Sequence, residues 1–330
     1  MTVQDRRPKR YPPPEFPPRR PAVFARTPPA VFPAILGILG LAGAVRLALG
    51  RTGWDQGLAD LLAGVAVALW LFAAFAYLVK LRRRPGVVVE DLRVLPGRSG
   101  LAAMTMGGMV AAGLVSTYSA PVSAVLLWAS LVGHAVLAGL LLRLLASLPQ
   151  EARAVNPTLH LSFAGFIVAA PAALALGLGW VAEMLFWATL PMAVAIWVLS
   201  LRQFLRTVPP APLRPLLAIH VAPAALLATV AALLGWPALS FVFVAAGACL
   251  GLALLLSARW VGQAGISPLW GAFTFPIAAL ATAALMQESG LWLGLVLVLA
   301  GLVAIPLILW WILKRWPGGK LAAVTNAAEA

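Results

Sequence analysis

Few side chains in this chain could carry proton or anion chemistry, and those singled out lie within or at the ends of long apolar stretches. Arg46 closes one stretch, Glu183 and Glu288 lie near the ends of two others, and His134, His160 and His220 fall inside them. Coupled pumps and transporters need ionisable groups at the membrane midplane, and no acid–base pair is spaced there for a proton relay. A single histidine in an apolar helix more often bridges two helices by a hydrogen bond than carries protons. His220 is the least ordinary of the three, because Pro223 follows it closely. Cys249 is the only cysteine, so no internal disulfide can form, and no Cys/His cluster offers a metal site. No cofactor is implied. Such scarcity of charge points to a passive pathway, in which polar groups, helix dipoles and width select the solute.

Helices in a lipid bilayer must hold these residues. Of 330 residues only 10% are charged and 62% are hydrophobic, with a mean hydropathy of +0.96. Soluble domains run at about 25% charged. A soluble globular enzyme, a disordered regulator and a disulfide scaffold are excluded. The net charge of +14 is dispersed among the links between apolar runs. A nucleic-acid surface would need it gathered on one face. The composition fits an all-α integral membrane protein whose partners are the lipid bilayer and a solute.

Ten apolar runs are expected to cross: 30–49, 58–79, 101–118, 121–146, 158–176, 180–200, 211–233, 237–258, 268–287 and 289–313. Each is near the roughly 20 residues that a crossing helix needs. They are too long and too rich in Ala and Leu for barrel strands. Residues 1–26 read as an Arg/Pro-rich tail, 27–315 as a transmembrane pore domain and 316–330 as a second short tail. All of the 24 Lys and Arg residues except Arg46 and Arg51 then fall on one side. The positive-inside rule makes that side, and both termini, cytoplasmic. Links on the far side are minimal, as at Ser119-Ala120 and Gly235-Trp236. Short links make antiparallel neighbours, so the chain reads as five helical hairpins.

The first run of each hairpin is rich in small residues. Four of them carry a proline, at Pro33, Pro171, Pro223 and Pro276, and the third has Gly107-Gly108 instead. Mid-helix proline frees a backbone carbonyl. In a membrane such backbone is tolerated only when buried or lining a wet cavity. The first runs are therefore expected as an inner ring of kinked helices. The second runs, richer in Leu, Val and Trp, are expected outside them.

Three strings carry a family resemblance. Residues 33–46 read PAILGILGLAGAVR, a glycine-spaced helix ending in arginine. Residues 219–224 read IHVAPA. Residues 270–276 read WGAFTFP, followed by AALAT at 278–282. Together they resemble the TehA-like tellurite-resistance/dicarboxylate transporter family, which includes the plant slow-type anion channels. The resemblance implies ten helices in five hairpins around a central pore, a homotrimer with one pore per subunit, and a place in the cell inner (plasma) membrane. It also implies that Phe275 plugs the pore. Pore-lining candidates are then Pro33, Ser162, Pro171, His220, Pro223, Thr274 and Pro276, with Arg46 at the outer mouth. The leading expectation is an anion channel or channel-like transporter for small inorganic or organic anions. The alternative is a proton-coupled C4-dicarboxylate or sulfite/tellurite permease, in which His220 or Arg46 binds proton or carboxylate. A membrane enzyme would need His, Asp or Glu converging near one interface, and no such set is found.

The charge distribution makes a direct prediction. Cysteines introduced by Arg10→Cys and Lys320→Cys should both resist a membrane-impermeant thiol reagent in intact cells. Labelling at both would invert the topology.

Overall fold

The computed structural model describes residues 22–149 and 155–330. Most of the expected Arg/Pro-rich tail, and Arg153, lie outside the described residues. Helices and their links make up all that is described, with no strand among the described residues. A helix satisfies its own backbone groups, which is the requirement that lipid imposes.

A 3-10 turn, Pro29–Val31, leads into α1 (Phe32–Thr52). Then come α2 (Gly57–Arg83), the short α3 (Val87–Arg93), α4 (Leu95–Val115) and α5 (Ala120–Ser147). The next run is broken into a π turn at His160–Ala164, a 3-10 segment at Gly165–Ala169 and α6 (Ala170–Ala175). After α7 (Gly179–Arg206), a 3-10 segment, Ala211–His220, continues into α8 (Val221–Leu233). The chain ends with α9 (Pro237–Leu256), α10 (Ala258–Val261), α11 (Gly271–Leu285), α12 (Leu291–Leu313) and α13 (Lys320–Val324).

Eight stretches among the described residues are long and apolar enough to cross a membrane, which makes this a multi-pass membrane protein. The remaining two expected runs are less clear-cut, for visible reasons. α4 is long enough but includes Arg98, Ser99, Thr105 and five glycines. The broken stretch His160–Ala175 is apolar but short.

Consecutive helices pair: α1 with α2, α4 with α5, α6 with α7, α8 with α9, and α11 with α12. The first partner lies inside. The apolar stretches containing α1, α8 and α11 are 78%, 78% and 61% buried, whereas those of the other five candidate spans are 17–39% buried. α4 and the broken stretch are also buried along most of their length.

Proline acts differently from the expectation. Pro33 stands in the first turn of α1, where no intrahelical bond is lost. Pro171 and Pro223 fall in the first turns of α6 and α8, just past the non-α segments. Of the four, Pro276 alone stands well inside an α-helix. The outer helices α7 and α12 also contain internal prolines, Pro191 and Pro306, so proline does not mark the inner ring. Gly107-Gly108 does not break α4 either. It makes room for the Trp70 indole, whose Nε1 donates to the Met104 carbonyl at 2.8 Å.

One end of the bundle is tied by an ion pair. Lys80, expected in a link, is in the last turn of α2, and its ammonium lies 2.9 Å from the Asp91 carboxylate of α3, with both side chains fully buried. Tyr77 donates to the same Asp91 oxygen at 2.9 Å, and Lys80 Nζ also donates to the Thr27 carbonyl at 3.1 Å. The C-terminal residues return to this point. The Ala328 amide donates to Asp91 at 2.8 Å, the Ala330 amide donates to the Ala25 carbonyl at 3.1 Å, and Glu329 pairs with Arg26 at 2.7 Å. The tail at 316–330 is therefore docked against the segment that precedes α1.

Removing one partner of a buried pair strands the other charge. Asp91→Ala should cost about 3–5 kcal/mol, visible as a lower denaturation temperature of the purified protein in detergent. Lys80→Met combined with Asp91→Leu should recover most of that loss. An equal loss in the double variant would assign the effect to packing instead of charge.

Candidate functional site

The site begins where α1 meets α11. Gly37 and Gly40 are three apart, so they share one face of α1. A Cβ at Gly37 would collide with the Thr274 side chain, and one at Gly40 would lie 3.0 and 3.1 Å from Cδ2 and Cε2 of Phe275. Glycine thus sets how closely the helices approach, and α1–α11 is the most extensive helix contact in the protein. The Thr274 hydroxyl fastens it, reaching the Pro33 carbonyl at 2.9 Å and the Gly271 carbonyl at 2.8 Å.

Two cavities lie along the inner ring. The narrow one, about 30 Å³, sits among the N-terminal ends of the inner stretches, with Pro33, Ser99, Leu161, Ile219 and Pro276 in its wall. That is roughly the volume of one water in the liquid. The wide one, about 640 Å³, sits among the C-terminal ends, with Gly43, Arg46, Tyr118, Pro171, Thr229 and Thr282 in its wall. Each cavity takes residues from all five inner stretches. Among the described residues Phe275 alone belongs to both walls. Its ring is 6% exposed and rests on Gly40. Pro276 has no N–H to give the Ala272 carbonyl one turn back, and both residues face the narrow cavity.

Arg46 is on the wall of the wide cavity. Its guanidinium pairs with Asp60 of α2 at 2.7 Å, and it reaches the Tyr118 hydroxyl at 3.1 Å and the Leu114 carbonyl at 3.3 Å. The pair is formally neutral. Thr229 and Thr282 donate their hydroxyl hydrogens within their own helices, to the Ala225 carbonyl at 2.9 Å and the Ala278 carbonyl at 3.1 Å.

The sequence-derived candidates divide between these places. Phe275, Pro33 and Pro276 meet the narrow cavity, while Phe275, Pro171 and Arg46 meet the wide one. Thr274, Ser162, His220 and Pro223 line neither. Thr274 is fully buried between α1 and α11, and Ser162 and Pro223 are buried in the π turn and in α8. His220 turns toward α7. Its Nδ1 is 3.0 Å from His160 Nε2, its Nε2 is 3.0 Å from Ser200 Oγ, and its carbonyl accepts from Trp197 Nε1 at 3.1 Å. These bonds brace the two non-α segments against the outer ring. His134 plays a similar part, with Nδ1 2.7 Å from Thr105 Oγ1. Asp60, Tyr118, Thr229 and Thr282 escaped the sequence reading. Asp60 left one signal, as the only acid in the second apolar run, just across a short link from Arg46.

The fold defines a multi-pass helical membrane protein with two cavities among its buried helices. The chain belongs to the SLAC1 family, described as voltage-dependent anion channel, whose family pattern matches residues 26–314. This is a family of channels and transporters, not of enzymes. Among curated proteins none matches the chain significantly.

The glycine contact is open to test. Gly37→Ala drives a methyl into Thr274 and should cost about 1–3 kcal/mol, read as reduced thermal stability in detergent. Gly64→Ala, on an α2 face with open space around it, should leave stability unchanged or slightly raised. Equal behaviour of the two would mean that α1 and α11 are not held at contact distance.

Proposed function

We propose that this protein is an anion channel, or a channel-like transporter, that passes small inorganic or organic anions along the axis of its inner ring, with Phe275 as the gate. One observation carries the reading: Phe275 is the single residue common to the walls of both cavities. A phenyl ring at that point fills the cross-section and repels water. An anion there would lose hydration with no charge in its place, a barrier of several kcal/mol.

Anions rather than cations fit the rest of the path. The N-terminal ends of α1, α4 and α11 gather around the narrow cavity, where Pro33, Pro96 and Gly271 line it. Helix N-termini carry the positive end of the macrodipole. They supply a favourable field with no fixed charge to trap the ion. In the wide cavity Arg46 is offset by Asp60, so attraction is weak there too. A conducting path needs sites that admit an ion and still let it leave. Family membership points to the same class of solute.

The membrane arrangement belongs to this reading. α4 and the broken stretch cross beside α1, α8 and α11, giving ten crossings as five hairpins with both termini cytoplasmic. Residues 27–315 form the pore domain. The protein sits in the plasma membrane as a homotrimer, with one pathway in each subunit. Saturable, proton-driven uptake in place of current would favour a dicarboxylate or sulfite/tellurite permease.

Phe275→Ala should raise basal anion current in reconstituted bilayers by at least about tenfold, the effect of removing a little over 1 kcal/mol of barrier. Phe273, whose ring meets Trp270 edge to face at 5.6 Å, is rotated about 200° around the helix. Phe273→Ala should give no gain. A Phe275→Ala protein that is folded and oligomeric but conducts no better than the parent would remove Phe275 as the gate.

A further inference from the structure

A third cavity, of about 660 Å³, lies apart from the proposed pathway, between α2, α12 and the docked N- and C-terminal segments. Its wall joins Phe24, Leu69, Phe72, Leu313 and Trp316 to a single cation, Arg26. We infer that this is a binding site for an anionic phospholipid, with the acyl chains along α2 and α12 and the phosphate at Arg26.

Four observations carry the assignment. The cavity is at the basic end of two membrane-crossing helices, where α2 closes with Arg82 and Arg83 and α12 is followed by Lys314 and Arg315. That is the level of the lipid headgroups on that side. The wall is amphipathic in the matching direction. Leu69, Phe72 and Leu313 lie within the apolar spans, whereas Arg26 and Gly319 lie beyond the helix ends, and a Cβ at Gly319 would come 3.3 Å from Arg26 Cδ. Phe24 is held at φ 65°, a conformation that non-glycine residues rarely adopt. This places its ring edge-on to Phe72 at 5.9 Å and to Phe75 at 6.1 Å, and Trp316 closes on Phe72 from the other side at 5.7 Å. Trp316 is the ring type enriched at headgroup level, with an apolar body and a polar N–H, and the phenylalanines give the cavity an apolar wall. Last, Arg26 keeps hydrogen-bond donors available at the polar end of the cavity. Arg26 pairs with Glu329 through its Nε at 2.7 Å, which leaves the two Nη groups for a phosphate.

Native mass spectrometry of the purified full-length oligomer tests this with three additives: phosphatidylglycerol, phosphatidylcholine of the same acyl chains, and inorganic phosphate. Phosphatidylglycerol adducts should exceed phosphatidylcholine adducts by about fivefold, the preference expected from one basic side chain at a lipid surface. Arg26→Gln should remove the preference, and Leu69→Trp, which fills the apolar half, should lower adducts of both lipids. Equal retention of the two lipids by the parent, or an unchanged preference in Arg26→Gln, would overturn the assignment. Displacement of phosphatidylglycerol by inorganic phosphate would make this a free-anion site and overturn it as well. Absence of any lipid adduct would mean that protein fills the cavity, from residues 1–21 or from a second copy, with the same consequence.

Discussion

The contact between α1 and α11 governs the rest of the structure. Two glycines on one face of α1 let α11 come close enough for the Thr274 hydroxyl to reach the Pro33 carbonyl at 2.9 Å. The same closeness seats the buried Phe275 ring on Gly40, where it belongs to the walls of both cavities. The threonine fastener and the phenylalanine shared by the two cavity walls are adjacent residues of one helix. A larger residue at either glycine would move both together. Pro276 adds to the effect, because the carbonyl it cannot bond belongs to Ala272, which faces the narrow cavity.

Charge is kept at the two ends of the bundle and out of its middle. At one end Arg46 meets Asp60 on the wall of the wide cavity, and at the other Lys80 meets Asp91 in full burial. The first joins α1 to α2 and the second joins α2 to α3, while Lys80 also reaches the Thr27 carbonyl ahead of α1. The difference in exposure separates their roles. A buried pair costs desolvation and is harmful to break, which suits Lys80 and Asp91 to holding α3 and the chain termini in place. Arg46 is partly exposed on the wall of the wide cavity, paired with Asp60. The histidines line neither cavity: His160 and His220 brace the non-α segments, and His134 ties α5 to α4.

Much of this was legible in the sequence, and the misses share a cause. Apolar run lengths gave the helices nearly to their ends, since the bilayer fixes how long an apolar helix must be. The inner and outer rings followed from small residues, which permit close approach, and not from proline. Whether proline kinks a helix depends on whether it falls in the first turn, and α1, α6 and α8 begin where tertiary contacts allow, just before Pro33, Pro171 and Pro223. Lys80 looked like a link residue because its partner, Asp91, is in a separate short helix. Arg46 was visible as a charge ending an apolar helix, but its neutralisation by Asp60 depends on how α2 folds back. Phe275 stood out through its family motif alone. Nothing local distinguishes its ring from that of Phe273, and only the ring of five helices sets the two apart.

Cysteine accessibility across Phe275 tests the central claim most directly. In a background with the exposed Cys249 replaced by alanine, Thr282→Cys marks the wide cavity and Ala222→Cys the narrow one. A small anionic methanethiosulfonate is added from the wide-cavity side of the reconstituted protein. With Phe275 in place the cysteine at 282 should react and the cysteine at 222 should not, and Phe275→Ala should expose the second at a rate approaching the first. Modification at 222 while Phe275 is intact, or continued protection there after its removal, would contradict a path partitioned by this ring.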